Sequence, residues 1–202
     1  MFHQHRLLCL ASTSPRRKEF LERYGLQFEC WKPLVDETPL PGESVENYVT
    51  RLAKDKATDA SQHFPEAIIL AGDTTVYHNH DIIGKPESRA QAIQMLHRLS
   101  GEIHVVYSAY AILDAKTGKC VEGLVQTMVK FRTLDDSCIE SYVRTGDPMD
   151  KAGAYSLQGL GGFLVERIDG SYNNVIGFPV EEILPHLIQH EWLSCRIFPS
   201  VP

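Results

Sequence analysis

The sequence predicts an α/β fold, and three of its features carry that prediction. Short unbroken apolar runs at 7–11 and 67–71 are typical of strands buried on both faces of a sheet. Segments with apolar residues at helical spacing lie between the strands. Two long apolar stretches, 105–113 and 121–132, flank a polar turn and predict an antiparallel hairpin. With 202 residues, of which 43% are hydrophobic and 23% charged, the chain is expected to form one soluble globular domain.

Charge and cysteine content narrow the class of protein. A formal net charge of −6 argues against a general nucleic-acid binder, whose footprint would be a basic surface. The five cysteines are odd in number, widely spaced and free of metal-binding motifs, which predicts reduced thiols in a cytoplasmic protein. Residues 1–6 are polar and predict no signal peptide, and no run approaches the roughly 20 apolar residues of a transmembrane helix.

The first strand, at 7–11, is expected to lead into an anion-binding helix. Ser14 is a good N-cap, Pro15 suits the first helical position, and Gly25 suits the left-handed end. The first turn offers free amides and the positive end of the helix dipole, yet it carries three cations: Arg16, Arg17 and Lys18. An ordinary basic surface helix is one interpretation. We favour a phosphate cradle of small hydroxyl residues, amides and guanidiniums.

A second strand, a loop and a long helix follow. Residues 26–31 predict a strand, and 32–44 form a loop with Asp36 and Glu37 at its centre. Ser44 is expected to cap a helix whose apolar stripe includes position 56, which is a lysine. Lys56 either extends its ammonium to the edge of the stripe or points into a cleft where an anion meets it, and the pattern alone does not decide.

The central strand is predicted at 66–77, and Asp73 follows its apolar part directly after Gly72. Such an acid is either a structural cap or lies where α/β proteins place their chemistry, at the ends of strands, and we favour the second. The segment from His78 to His80 predicts a hairpin turn. A metal site there is a weak interpretation, because the two histidines lack a third ligand.

A constrained cation precedes the next helix. Pro86 forces Lys85 towards an extended backbone, and Ser88 is expected to cap a helix with Gln91 in the capping-box position. The Gly-Lys pair is not a Walker A loop, because the upstream glycine and the following Ser or Thr are absent.

The remaining segments alternate again. They are expected to be a helix from Thr133 to about Arg144, a Gly-rich loop at 149–162, a strand at 163–168, a turn at 169–174, a closing helix from 179 to about 190, and a short tail at 191–202 with no assigned role.

The ordered set of these motifs resembles the Maf family of nucleoside triphosphate pyrophosphatases, from Leu8 to about Leu187. The motifs that carry the resemblance are LASTSPRR at 10–17, DE at 36–37, GDT at 72–74, GKP at 84–86, LSG at 99–101, DKAGAY at 150–155, QG at 158–159 and DG at 169–170. The resemblance implies a single domain over 1–202, with its core at about 7–190. It further implies an elongated mixed β-sheet flanked by helices, with two lobes around a central cleft as in inosine triphosphatases, and a homodimer.

The resemblance also implies an activity and its residues. The reaction would be metal-dependent cleavage between the α and β phosphates of a nucleoside triphosphate, with Mg²⁺ or Mn²⁺. Glu37 and Asp73 match the catalytic acids and metal ligands. Asp73 is expected to be the general base and Glu37 to help hold the cation, although the roles could be shared or reversed. The phosphates would be bound by Ser12, Arg16, Arg17, Lys56 and Lys85.

Within that family, the loop at 154–159 resembles the branch that hydrolyses dTTP and UTP. Gln158 can pair with the O/NH edge of a pyrimidine, and Thr74 could contribute. Ser156 and Leu157 depart from the usual Gly-Ile. The alternative is the branch that acts on 7-methyl-GTP, which has Ser-Phe in place of Ala-Tyr and no matching glutamine. Hydrolysis of damaged nucleotides and control of normal pools both remain compatible with the residues.

Two other classes of protein compete with an enzyme. A regulator of septum formation would bind a nucleotide without turnover, whereas a complete set of two carboxylates and five anion-binding residues favours catalysis. A single-strand nucleic-acid binder would need a basic surface with interleaved aromatics, which the acidic net charge opposes.

Overall fold

The protein is described here by a computed structural model covering residues 1–196. The strands are β1 Phe2–Gln4, β2 Leu8–Ala11, β3 Phe28–Trp31, β4 Ile68–His78, β5 Asp81–Ile83, β6 Ile103–Asp114, β7 Cys120–Phe131, β8 Val165–Asp169 and β9 Leu193–Cys195. The helices are α1 Pro15–Arg23, α2 Val45–His63, α3 Arg89–Leu99, α4 Asp136–Arg144, α5 Tyr172–Ile176 and α6 Val180–Gln189.

The main sheet is mixed and elongated, which confirms the predicted fold class. Its strand order is β3-β2-β4-β6-β7-β8, with β5 also paired to β4. The strands β3, β2 and β4 are parallel, and the remaining neighbours are antiparallel. Because side chains alternate along a strand, α2 packs on one face of the sheet while α1 and α6 pack on the other. The helices α3 and α4 cover a second core at the far ends of β4 and β6.

One edge of β4 is open in its middle. The strand pairs with β2 over 68–71 and with β5 over 76–78, so residues 72–75 have a strand partner only on β6 within the described chain. Both β4 and β6 contribute to the core on each face of the sheet and to the core under α3 and α4. The open stretch of β4 lies between these contributions. A cleft therefore forms where a parallel neighbour ends and an antiparallel one begins.

Most helix starts follow the predicted caps. Ser44 and Ser88 accept hydrogen bonds from the third residue of their helices, and Ser14 is the N-cap of α1 without a side-chain bond. The predicted start at Thr133 is wrong. Asp135 caps α4 by accepting from Cys138 N at 2.8 Å, and Leu134 N donates to the hydroxyl of Ser100 at 2.8 Å, which keeps the preceding residues extended.

The segments after α4 also differ in detail from the predicted elements. The Gly-rich stretch contains short 3-10 turns at Asp147–Asp150, Ala152–Ala154 and Gly159–Leu164, so the predicted strand begins at Val165 and not at Phe163. The predicted turn at 169–174 includes the start of α5, which Ser171 caps.

The strands β1 and β9 form a small separate sheet that the sequence analysis missed. The strand β9 pairs antiparallel with β1, with Phe2 opposite Cys195. Phe2, Trp192 and Leu193 pack into the core beside α6. The rest of the predicted tail, 197–202, lies outside the described residues. No helix in residues 1–196 is long and apolar enough to cross a membrane.

Candidate active site

A cavity of about 630 Å³ opens at the free edge of β4, a volume typical of small-molecule sites. Its lining combines the start of α1, the edge of β4, two residues of α2, the turn before α3 and the Gly-rich stretch. The predicted site residues among the lining are Ser12, Arg16, Arg17, Glu37, Lys56, Asp73, Thr74 and Lys85. The structure thus brings together eight of the nine predicted residues, and Gln158 is outside the lining.

The residues predicted to form the anion cradle line the cavity. The hydroxyl of Ser12 accepts from Ser14 N at 3.1 Å in the turn between β2 and α1, and the first helical turn that follows lines the cavity. The side chain of Arg16 is 25% exposed, and its guanidinium lies 3.6 Å from the exposed carboxylate of Asp150. Lys85 is exposed at the rim. Arg16 and Lys85 therefore remain accessible to a dissolved anion.

Arg17 is different, because its guanidinium is engaged inside the protein. It is 9% exposed and donates to the carbonyls of Gly72 and Gly177 at 2.6 and 2.9 Å. It also donates to the hydroxyl of Thr74 at 3.2 Å and, at 3.4 Å, to that of Ser12. These bonds occupy the open edge of β4, so Arg17 joins the cradle to the sheet.

A lysine and two carboxylates form the centre of the site. Lys56 Nζ lies 2.7 Å from Asp73 Oδ1 and 2.6 Å from Glu37 Oε1. Lys56 and Asp73 are buried, whereas the Glu37 side chain is 58% exposed. Of the two interpretations left open for Lys56, the structure shows the one in which it points into a cleft, and the anions that meet it are the protein's own carboxylates.

The pKa values of Asp73 and Glu37 shift in opposite directions. Burial raises the pKa of Asp73, against the opposing attraction of Lys56 and Arg17. Burial also disfavours ionised Glu37, but the hydrogen bond from Lys56 and the charges of Lys56, Lys85 and Arg17 lower its pKa below the usual value. A carboxylate with a raised pKa beside an ionised one is an arrangement typical of acid–base sites.

This carboxylate pair also suits a divalent cation. The two acidic oxygens lie 2.6 and 2.7 Å from the same ammonium, so they are close enough together to share a bound cation. Oxygen donors of this kind suit Mg²⁺ and Mn²⁺. Residues 1–196 contain no group of three or more His, Cys, Asp or Glu placed to hold a metal, so further ligands would come from substrate or water. His78 and His80 thus form no such group.

The two residues predicted to select the base lie in different surroundings. Thr74 lines the cavity, but its hydroxyl is fixed by Ser108 at 2.7 Å and Gly177 O at 3.2 Å. Gln158 is partly buried and follows two residues after Ser156, which is in the lining. Tyr155 and Ser156 form that part of the wall.

Several lining residues were missed by the sequence analysis. Tyr48 donates from its hydroxyl to the carbonyl of Glu37 at 3.0 Å and so fixes the acidic loop to α2. Lys151 contacts Asp150 at 2.6 Å and the backbone of Asp147. The position of Tyr48 on the apolar stripe of α2 was a usable signal. Lys151 lies in the DKAGAY motif at 150–155 but received no role, and Lys32 gave no signal, because lysines in loops are usually solvated.

Comparison with known proteins places these residues in a wider context. A family model described as Maf-like protein matches residues 7–190. The chain is 43% identical over 175 residues to a dTTP/UTP pyrophosphatase of Acinetobacter baylyi, covering 87% of this chain and 94% of that protein. It is 39% identical over 194 residues to one of Desulfotalea psychrophila, covering 96% and 100%. It is 45% identical over 177 residues to one of Myxococcus xanthus, covering 87% and 88%.

A solved structure supports the fold alone. The chain is similar to the Ham1 protein of Staphylococcus aureus at a TM-score of 0.52 and 13% sequence identity, covering 92% of this chain and 100% of that one. This similarity agrees with the expected inosine triphosphatase-like architecture.

Proposed function

The chain belongs to the Maf-like protein family, and we propose that it hydrolyses dTTP and UTP to the nucleoside monophosphate and pyrophosphate. Its relatives identify the broader class, that of a nucleoside triphosphate pyrophosphatase. The observation that carries the proposal is the centre in which Lys56 joins Asp73 and Glu37, directly beside the cations and amides of the cradle.

The cradle supplies phosphate binding. A nucleoside triphosphate carries about four negative charges near neutral pH, and Arg16 and Lys85 are accessible cations that would meet them. The amides after Ser14 add neutral donors, which cost no reorganisation when the anion binds. Arg17 contributes its charge from inside the wall.

The carboxylates supply the chemistry. In the proposed reaction, Asp73 accepts a proton from a water molecule as the water oxygen attacks the α-phosphorus. The bond from the α-phosphorus to the bridging oxygen breaks, and pyrophosphate leaves within the cradle. Lys56 holds Asp73 in place and stabilises negative charge beside it.

Glu37 and Asp73 are the residues that would hold a divalent cation, and such a cation would supply neutralisation of charge on the phosphates. Tyr48 fixes the loop that carries Glu37, so the distance between the two carboxylates is set by α2 and β4 together.

Base selection is proposed for the other part of the wall. Thr74 lines the cavity with a fixed hydroxyl, and Gln158 lies close in sequence to the lining residues Tyr155 and Ser156. An amide at Gln158 can match both the donor and the acceptor on the edge of uracil or thymine.

The test is pyrophosphate release from dTTP, UTP, CTP, GTP, 7-methyl-GTP and 5-methyl-UTP, with Mg²⁺ or Mn²⁺ and with excess chelator. We expect selective release from dTTP and UTP, loss of activity with chelator, and a fall of about 10²–10⁴-fold in kcat for Asp73→Asn. The matched control is Asp114→Asn, because Asp114 is also buried but pairs with Arg6 at 3.1 Å, away from the cavity.

The outcomes separate the alternatives. Selective release from 7-methyl-GTP would keep the mechanism and overturn the assignment of Gln158. Nucleotide binding without turnover would replace the enzyme with a regulator. Activity that survives both Asp73→Asn and chelation would refute the roles assigned to the carboxylates.

Two further expectations accompany the function. Family membership supports a homodimer, which sedimentation velocity would distinguish from a monomer by mass. The unpaired cysteines Cys9, Cys30, Cys120, Cys138 and Cys195 support a reducing, cytoplasmic setting, which a fluorescent fusion would test in cells.

A further inference from the structure

A buried histidine outside the proposed reaction contacts one wall of the cavity. His104 on β6 is 1% exposed, and its Nε2 lies 2.8 Å from the hydroxyl of Tyr155. The rings of His104, Tyr155 and Phe131 pack edge to face with centroids 4.8 to 5.3 Å apart. Tyr155 is also buried, and its other side faces the cavity.

The direction of this hydrogen bond follows from its surroundings. Burial, with a contribution from His78, lowers the pKa of His104 to about 3, so the ring is neutral near pH 7 and one nitrogen is an acceptor. Nδ1 of His104 has no partner in residues 1–196. If Tyr155 donates to Nε2, only the Nδ1–H is unpaired, whereas the reverse arrangement leaves both Nδ1 and the tyrosine hydrogen unpaired. Tyr155 is therefore the donor.

The backbone before Tyr155 needs such an anchor. Gly153 and Ala154 have consecutive positive φ angles of 69° and 58°, and Ala154 is fully buried. An alanine rarely adopts this conformation, and it persists only where neighbouring contacts impose it. Gly153 N donates to Gly84 O at 3.0 Å on one side of the segment, and the ring of Tyr155 holds the other side.

The anchored wall lies where a base would pack. Val76 on β4 and Val106 on β6 are opposite each other, and both line the cavity together with Tyr155. Val76 is three residues from Asp73, which is about 10 Å along an extended strand. The sugar of a nucleotide separates its base from the α-phosphate, so a base would lie on a part of the wall away from Asp73, which is where Val76 and Val106 form an apolar surface.

We propose that His104 is a positioning residue for nucleotide recognition: through the hydroxyl of Tyr155 it fixes the wall against which the base packs. This inference rests on the proposed function. His104 touches neither the phosphates nor the carboxylates, so its effect falls on binding and selectivity and not on the chemical step.

The experiment compares Tyr155→Phe, His104→Phe and the double variant in steady-state hydrolysis of UTP and GTP. Each single variant keeps an aromatic ring and removes one partner of the hydrogen bond. We expect the KM for UTP to rise about five- to tenfold, with kcat within about twofold, and the preference for UTP over GTP to fall. The double variant should be no worse than the more affected single variant.

The matched control is His78→Phe. His78 is 5% exposed on the strand next to that of His104. Within the described part of the chain its Nδ1 also has no partner, and it makes no hydrogen bond to Tyr155. Its KM for UTP should stay at the wild-type value even if the melting temperature changes.

Each outcome decides one question. If the wild type releases pyrophosphate and Tyr155→Phe has an unchanged KM and selectivity, this inference alone is overturned. Tyr155→Phe gives this test even if His104→Phe fails to fold. Equal changes in His78→Phe and His104→Phe would assign a structural role only. Absence of release from every nucleotide by the wild type would overturn the proposed function and this inference with it.

Discussion

Replacing Lys56 by methionine should lower the free energy of unfolding, because it breaks the two ion pairs of Lys56. Methionine keeps the apolar stem and removes the ammonium that lies 2.7 Å from Asp73 and 2.6 Å from Glu37. Removing one partner of a buried ion pair costs about 3–5 kcal/mol, because the remaining charge is buried without compensation. Glu37 is 58% exposed at its side chain and can regain water, so the cost comes mainly from Asp73 and should be about 3 kcal/mol.

A second substitution tests the origin of this cost. In Lys56→Met/Asp73→Asn neither buried charge remains, so the double variant should regain about 2 kcal/mol relative to Lys56→Met alone. Asp73→Asn by itself leaves Lys56 paired with Glu37 and should have a smaller effect than Lys56→Met. Stability would thus return while activity stays lost.

The assay is urea unfolding at pH 7, followed by far-UV circular dichroism and checked by thermal melting. For a chain of this size, about 3 kcal/mol corresponds to a fall of roughly 6–12 °C in Tm. The control is Lys54→Met on the same helix, whose lysine is half exposed and pairs with Glu122 at 3.0 Å, and it should leave the unfolding midpoint unchanged. Equal midpoints for Lys54→Met and Lys56→Met, or a double variant less stable than Lys56→Met, would refute the reasoning.

Three other predictions can be checked on the same material. Arg17→Lys should lose about 2–3 kcal/mol of unfolding free energy, since one ammonium cannot replace a guanidinium that contacts two carbonyls and two hydroxyls. Arg16→Lys should keep the wild-type stability and raise the KM for UTP. A stable Arg17→Lys together with an unstable Arg16→Lys would contradict the structural role of Arg17 and the ligand-binding role of Arg16. The pKa of His104 is lowered to about 3 in the folded protein, against about 6.5 in an unfolded chain, so between these pH values only the unfolded state binds the extra proton. Stability should therefore fall as the pH drops below about 6.5, by up to about 1.4 kcal/mol per pH unit. Thermal melts from pH 7 to 4.5 should show that His104→Phe removes this part of the pH dependence. Gly72→Ala should cost about 1–3 kcal/mol in urea unfolding, because a Cβ there would lie 2.9 Å from the carbonyl oxygen of Ala109, and a wild-type midpoint would show that β6 yields easily.

Local patterns predicted most of the elements that build the site. The stripe that places Lys56 on the buried face of α2 and the apolar run that ends at Asp73 are short-range signals, and the structure agrees with both. The turn at Asn79 and His80, with φ angles of 50° and 67°, was likewise readable from nearby residues. Where the determinants lie within about one helix turn or one strand, sequence reasoning was sufficient.

The missed features depend on partners that are remote in the chain. The strand β1 exists because Phe2 meets Cys195, and the polar sequence of 1–6 gives no strand signal of its own. The start of α4 depends on the hydroxyl of Ser100, which engages Leu134 N across 34 residues. Gln158 was associated with the cavity through its motif, yet the short turns at 152–154 and 159–164 leave Tyr155 and Ser156 in the lining instead.

The two adjacent arginines show why a motif alone does not assign a role. Neighbours on a helix are about 100° apart, so Arg16 and Arg17 cannot face the same way. Arg16 faces the solvent-accessible cavity, whereas Arg17 faces Gly72 and Gly177 and occupies the stretch of β4 that has no strand partner on that side in residues 1–196. A neutral donor could satisfy those carbonyls, but a guanidinium does so while placing a positive charge behind the cradle. The two arginines therefore have different roles: Arg17 completes the sheet edge that forms the site, and Arg16 remains available to the ligand.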